Sequence, residues 1–399
     1  MTPNKKVLLA FSGGLDTAYC VRYLSVEKGL QVYTATVNTG GFTPEELTGI
    51  AQKALSLGAV QHKLLEATQA YYDRIIKYLV FGNILRNNTY PLSVSAERTY
   101  QAIALAEYAK ALQVDYIAHG STGAGNDQVR FDFVFQLLIP EIEILTPIRD
   151  QQLSRQEEVA YLQANGVQLD WEKAKYSINK GLWGTSVGGA ETLTSHLPLP
   201  EEAFPSQLSA TQPQTIEITF SKGEITELNG KEVDPVAAIQ QIESLASTYA
   251  IGRDIHTGDT IIGLKGRVGF EAAAALIIIK AHHTLEKHTL TKWQLYWKEQ
   301  LANWYGMFLH ESQYFEPVMR QIEGFLEASQ VTVSGKVWVK LSPYQFQIVG
   351  IESAHDLMNS NFGDYGEMNK QWSGEEVKGF TKILANPIHI FQQVNSSHD

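Results

Sequence analysis

Two adjacent glycines behind a serine close the first apolar run of this chain. KVLLAF (6–11) leads into Ser12-Gly13-Gly14-Leu15-Asp16-Thr17, and a helical pattern begins at once beyond it. Glycines permit positive φ and close backbone approach. A helix starting here would bring free N–H groups and the positive end of its dipole to one point. Such a nest suits a phosphate or pyrophosphate, and Ser12 adds a hydroxyl donor. Asp16, in the first turn, either complements the dipole or helps to hold a magnesium ion. A plain strand-to-helix turn with a serine cap is the competing reading of SGG alone. Two other phosphate loops are excluded by spacing. There is no GxxxxGK[ST], so no lysine of this loop reaches a γ-phosphate, and no GxGxxG for a dinucleotide.

A second loop, HGSTGAGNDQVRFDF (119–133), follows the apolar run VDYIA. It sets Gly120, Gly123 and Gly125 among Thr122, Asn126, Asp127 and Arg130. Donors for a carboxylate stand there beside an acid for an ammonium, as amino-acid binding requires. The alternative is a glycine-rich surface loop with a solvated charge cluster.

Other residues look chemical for less reason. His282, His283 and His288 lack both HExxH and i, i+4 spacing between the last two. They read as a helix surface with some subunit contact rather than a zinc site. WQLYWKEQLANWY carries three tryptophans at near-helical spacing. In so acidic a chain it reads as core or subunit packing, not base stacking. Cys20, the one cysteine, reads as a small buried residue and allows neither a disulfide nor a cysteine metal cluster.

The elements that must hold these loops follow a simple grammar. Runs at 6–11, 31–37, 59–65, 114–120 and 142–148 read as strands, and 15–27, 44–57, 68–78, 96–111 and 154–165 as helices. That alternation predicts an α/β fold with a mostly parallel sheet, whose ligands sit beyond the carboxyl ends of the strands. From about residue 171 the pattern changes to hairpins, one turning at Lys222-Gly223 and one in KVWVKLSPYQFQIVGI. Longer helices accompany them, one entered at Asp234-Pro235, which suggests an α+β domain. PLPEEAFPSQ reads as an exposed connection. The expected division is a nucleotide-binding domain at 1–168, an α+β synthetase and oligomerisation domain at 169–370, and a C-terminal extension at 371–399. The chain has 399 residues, 44% of them hydrophobic, and a net charge of −11. These values fit a soluble globular protein and argue against broad contact with nucleic acid. Neither a signal-peptide pattern nor a membrane-length apolar stretch is apparent, so a cytoplasmic protein is expected.

SGGLDT resembles the pyrophosphate loop of the N-type ATP pyrophosphatases, which cut ATP between the α and β phosphates. Within that superfamily, HGSTGAGNDQVRF, YPLSVSAER (90–98), YSINKGLWGTS (176–186) and IGLKGRVGFE (262–271) resemble argininosuccinate synthase in the family's order, and the likeness runs through GFTKI near the end. The resemblance implies a ligase of arginine biosynthesis. ATP adenylylates the ureido oxygen of citrulline, and the amine of aspartate then displaces AMP. It also implies magnesium bound with ATP, with no protein side chain assigned as its ligand, and a homotetramer.

Carried over by position, ATP contacts Ala10, Phe11, Ser12, Gly13, Gly14, Leu15, Asp16, Thr17 and Ala18, with Val37 and Gly120 beside the nucleoside. Thr122, Asn126 and Asp127 hold aspartate. Tyr90, Ser95, Asn126, Arg130, Ser177 and Ser186 hold citrulline, and Asp16 and Arg130 carry most of the catalysis. One region departs from the family pattern. Gly258 and Phe270 fall where most members place a glutamate and a tyrosine against citrulline. Asp259 or Glu271 would then have to substitute, or the substrate's amine is read differently or is blocked by an acyl group. A tRNA-modifying protein and a non-catalytic sensor are the remaining alternatives.

Overall fold

The computed structural model describes residues 5–167, 175–360, 362, 365–366 and 370–396. They fall into two compact units, residues 1–354 and 355–399.

In the first unit five parallel strands form a sheet: β1 (Lys6–Ala10), β2 (Gln31–Asn38), β3 (Gln61–Glu66), β4 (Tyr116–Ala118) and β5 (Glu143–Leu145). Their order is β3-β2-β1-β4-β5, so the chain reverses direction across the sheet at β1. Successive side chains of a strand point to opposite faces, and β1 shows what each face buries. Val7 and Leu9 pack with Leu15, Val21 and Leu162, whereas Leu8 joins a larger core with Ile75, Ala102 and Ile117. Both faces of the sheet are therefore covered, as a parallel sheet requires.

The later part of the unit is antiparallel. β6 (Ser177–Gly181) and β7 (Gly184–Gly188) form a hairpin that continues a sheet in the order β11-β12-β7-β6, with β11 (Arg253–Asp259) and β12 (Lys265–Glu271). The other sheet contains β8 (Gln214–Ser221), β9 (Glu224–Leu228), β10 (Lys231–Glu232), β13 (Gly335–Ser342) and β14 (Gln345–Glu352). The Ala273–Thr289 helix packs against β13 and the Pro235–Ala246 helix. Pro235 at the first helical position and Asp234 capping Ala237 N–H explain that helix start. The second unit contains the Gly374–Leu384 and Asn386–Asn395 helices, the first opened by a capping box from Ser373 and Glu376.

Several expectations change. The 119–133 stretch is a loop only as far as Asn126, because Asp127–Leu138 is a helix burying Arg130, Phe131, Val134 and Phe135 at helical spacing. The helix expected at 96–111 starts earlier, as Ser93–Leu112, because the Tyr90 hydroxyl accepts the Val94 N–H at 3.0 Å and caps its first turn. The helices at 15–27 and 68–78 each widen into a π turn, at Tyr23–Glu27 and Tyr72–Ile76. His282 is not on a helix surface. It is wholly buried and bonded to Asn83 and Gln330. PLPEEAFPSQ is not simply exposed, since Leu199 and Ala203 pack with Tyr176 and Val187. Cys20 is buried as expected.

Candidate active site

Beyond the carboxyl ends of β1, β2 and β4 lies a cavity of about 1000 Å³. Its floor is the first glycine loop. Gly13 has φ +78°, which lets the chain turn directly from β1 into the Leu15–Arg22 helix. Gly14 is the N-cap and supplies no side-chain cap, so the first N–H groups of that helix remain available to an anion. Ser12 Oγ accepts the Gly14 N–H at 3.3 Å and lies 3.3 Å from Thr17 Oγ1, which donates to the Gly14 carbonyl at 3.2 Å. Lys53, on the Pro44–Ser56 helix, donates to the Gly13 carbonyl at 2.7 Å. Motif spacing had excluded a lysine within the loop; the fold brings one from 40 residues away.

Ala10, Phe11, Leu15, Asp16 and Val37 line the cavity with this loop, whereas Gly13 and Ala18 do not reach its wall. Ala18 is fully buried beneath the helix. Behind Asp16 stands Glu158, 3% exposed, on the Arg155–Ala164 helix. Burial, and then the neighbouring Asp16 carboxylate to which it is hydrogen-bonded, push Glu158 up to about 8. It is therefore protonated at neutral pH and donates to Asp16.

The second loop closes over the first. A Cβ on Gly120 would lie 3.2 Å from Thr17 Cγ2, so glycine permits the close approach. His119 accepts the Ser121 N–H on Nδ1, which places its proton on Nε2, 2.8 Å from Asp132. Arg149 donates to the other Asp132 oxygen at 2.7 Å. Burial raises the Asp132 pKa, but the hydrogen bonds from His119 and Arg149 outweigh it and hold the carboxylate below its usual range. Gln128 ties the loop carbonyls of Gly123 and Gly125. These groups stiffen the frame that presents Thr122, Asn126, Asp127 and Arg130 to the cavity.

Asp127 bridges two guanidiniums, with Arg98 Nε at 3.2 Å and Arg130 NH1 at 3.1 Å. Burial pushes its pKa up, yet these two cations hold it low. Arg130, 4% exposed, also donates twice to the His310 carbonyl, at 3.2 and 3.1 Å. Asn126 Oδ1 accepts the Ile261 N–H at 2.8 Å, which leaves its amide NH₂ for a ligand.

The opposite wall carries Tyr90 and Ser95 at the start of the Ser93–Leu112 helix, with Ser177 on β6 and Ser186 on β7. Ser93 and the Val94 N–H both donate to the Tyr90 hydroxyl, so its own proton can go to a ligand. A Cβ on Gly41 would fall 1.9 Å from the Lys180 carbonyl. Backbone contact at that glycine thus fixes the β6–β7 hairpin against the loop after β2. All the residues assigned from the sequence therefore meet in one cavity, except Gly13 and Ala18.

Sequence reasoning missed Arg98, Lys180, His256 and His310, which share that wall. Arg98 and Lys180 lay within the quoted motifs, whereas the histidines carried no local signal. Of the two acids expected to replace the glutamate, Asp259 lines the cavity and Glu271 does not. Glu271 is 4% exposed and bound to Arg253 and Ser206. Asp259 pairs with Lys265 at 2.6 Å, on the opposite sheet face from Gly258. Phe270 is buried behind Tyr90, with ring centroids 5.5 Å apart.

Two family models match this chain in tandem. The arginosuccinate synthase N-terminal HUP domain covers residues 6–168, and the arginosuccinate synthase C-terminal domain covers residues 176–391. The argininosuccinate synthase of Dictyoglomus turgidum is 35% identical over 390 residues, 97% of this chain and 98% of that protein. That of Xanthomonas axonopodis pv. citri is 35% identical over 404 residues, 98% and 96% of the two chains. The enzyme of Methanocaldococcus jannaschii is 32% identical over 378 residues, 94% and 95%. With two matching domains and full-length relatives around one nucleotide-suited cavity, the chain belongs to the argininosuccinate synthase family.

Proposed function

We propose that the cavity joins citrulline to aspartate at the expense of ATP, giving argininosuccinate, AMP and pyrophosphate. The observation that carries this is the uncapped helix start at Gly14 facing the Gly120–Arg130 segment across one cavity. An anion nest and an amino-acid loop so placed bring two substrates to one reacting centre.

The ureido oxygen of citrulline attacks the α-phosphorus, the α–β bond breaks, and pyrophosphate leaves with the electron pair. The amine of aspartate then attacks the ureido carbon and AMP departs. The Leu15–Thr17 N–H groups and Ser12 take up the charge developing on pyrophosphate, a form of stabilisation that needs no reorganisation during the step. Arg130 and Asn126 orient the citrulline, with Tyr90, Ser95, Ser177 and Ser186 around it. Thr122, Asn126 and Asp127 hold the aspartate. No side chain need act as a nucleophile, because positioning turns a bimolecular attack into an effectively unimolecular one.

Magnesium enters with the nucleotide as part of the substrate, and Asp16 is the carboxylate at the edge of the nest. The homotetramer reading is supported by exposed Trp293, Trp297 and Trp304 on the Lys292–His310 helix. Exposed Phe380, Ile383, Ile388 and Phe391 on the C-terminal helices support it too. Light scattering of the purified chain tests that state. A cytoplasmic location fits a small-molecule ligase with no described helix long and apolar enough to cross a membrane. The matched relatives lend no support to a tRNA-modifying enzyme or a sensor. Equimolar AMP and pyrophosphate, formed only when ATP, citrulline and aspartate are all present, is the expected result. No release with any combination would overturn the reading.

A further inference from the structure

One end of the cavity is marked by an imidazole without hydrogen-bond partners among the described residues. His256 and Gly258 stand on one face of β11, opposite Val268 and Gly266 of β12. His256 is 6% exposed, lines the cavity and stacks on Tyr90, with centroids 5.2 Å apart. Neither of its ring nitrogens has a hydrogen-bond partner among the described residues. A Cβ on Gly258 would come within 2.6 Å of its Nε2. The unsubstituted backbone at 258 is therefore what makes room for the imidazole.

Its neighbours include a second imidazole, a guanidinium and carboxylates that are already paired. His310 shares the wall, and its Nδ1 lies 3.5 Å from an Arg130 nitrogen. Burial, then Arg130 and Arg86, push His310 down to about 3. Burial and Arg86 likewise lower His256. Both rings are thus uncharged at neutral pH. Arg86 has a buried Nε without a hydrogen-bond partner among the described residues. The nearby carboxylates do not compensate. Asp127 gives its oxygens to Arg98 and Arg130, and Asp259, which also lines the cavity, is paired with Lys265. Asp254 and Glu311 lie outside the cavity wall.

A free α-amino group brings three N–H donors and a full positive charge, and buried charge needs a counter-charge. On this wall Arg130 is cationic, and the carboxylates Asp127 and Asp259 already have cationic partners. A secondary amide brings no charge, one N–H and one carbonyl. It matches a neutral imidazole, which has one N–H and one lone pair to offer.

Resting on the ligase reading above, we propose that the citrulline activated here carries an acyl group on its α-nitrogen, with the amide seated against His256 at the end of the cavity that Gly258 also lines. His256 is then the residue that sets specificity, and Arg130 reads the substrate's carboxylate beside it.

The test supplies the purified protein with ATP, aspartate and one of three acceptors: citrulline, N-acetylcitrulline or N-succinylcitrulline. Pyrophosphate release should show kcat/KM at least about tenfold higher for an acylated acceptor than for the free amino acid. A preference for succinyl over acetyl would place a donor for a second carboxylate beyond the amide. Equal rates for the two would confine recognition to the amide. Equal or better use of free citrulline overturns the proposal. Silence with all three overturns the ligase reading and the proposal together. His256→Phe keeps the ring on Tyr90 but removes both nitrogens. It should bring the acyl-to-free ratio within about twofold while the KM for ATP holds. An unchanged ratio overturns the assignment.

Discussion

Lys53 Nζ lies 2.7 Å from the carbonyl oxygen of Gly13, at the turn where β1 becomes the Leu15–Arg22 helix. Burial lowers the pKa of this amine. The contact fixes the carbonyl away from the anion nest and brings a positive charge beside it. Lys53→Met keeps the stem and removes the donor. It should raise the KM for ATP about tenfold, about 1.4 kcal/mol, with the KM for citrulline little changed. Steady-state kinetics with each substrate varied in turn gives the answer, and parallel rises in every KM would point to general loosening instead.

Arg130 joins Asp127 to the His310 carbonyl, so its removal strips charge from the amino-acid loop and leaves buried acceptors unpaired. Arg130→Ala should lower kcat/KM at least about tenfold, roughly 1.4 kcal/mol, and Asp16→Ala should do the same from the ATP side. Arg130→Lys should recover little, because a single ammonium cannot reproduce the fork that spans both partners. Near-normal kinetics in either alanine variant would count against its role.

Glu158 is held at about 8, above the 4.5 of an unconstrained glutamate, by burial and then by Asp16. A raised folded-state pKa means that the stability it contributes is complete below about 4.5 and lost as pH rises through about 8. Glu158→Gln retains the shape and a donor but cannot ionise. Its Tm should match the parent near pH 5 and exceed it near pH 9. The comparison is a melting series across that range, and a constant offset would contradict the assigned protonation.

Gly41 meets the Lys180 carbonyl so closely that any side chain must displace backbone. Gly41→Ala should destabilise the fold by roughly 3 kcal/mol through forced backbone movement. Denaturant unfolding measures this directly. Gly230, where an added Cβ has open space around it, is the contrasting site. Its positive φ of +71° confines the cost of Gly230→Ala to local backbone strain, about 1 kcal/mol.

The parts of the site that were legible in sequence are those made by neighbours in the chain. Ser12 to Thr17 could be read because strand, glycine turn and helix start follow one another within ten residues. Thr122, Asn126 and Arg130 were legible for the same reason, although the helix carrying Arg130 was overlooked despite its buried positions at 130, 131, 134 and 135. Lys53, His256 and His310 were not legible, because each reaches the cavity from a distant segment. What matters about His256 is that neither ring nitrogen has a hydrogen-bond partner among the described residues, a property of tertiary packing alone. His282 misled for the reverse reason. The Ala273–Thr289 helix is buried on more than one side, so a polar residue on it is bonded inside the core.

The uncapped helix at Gly14 has a consequence outside catalysis. Protein folds often finish such a terminus with their own serine or aspartate, and on the proposed reading this one leaves the task to the bound nucleotide. ATP is then a structural component on loan, and at a hundred times its dissociation constant it would add about 2.7 kcal/mol to the stability of the chain. Resistance to proteolysis, and with it the lifetime of the protein, would rise and fall with the energy charge of the cell.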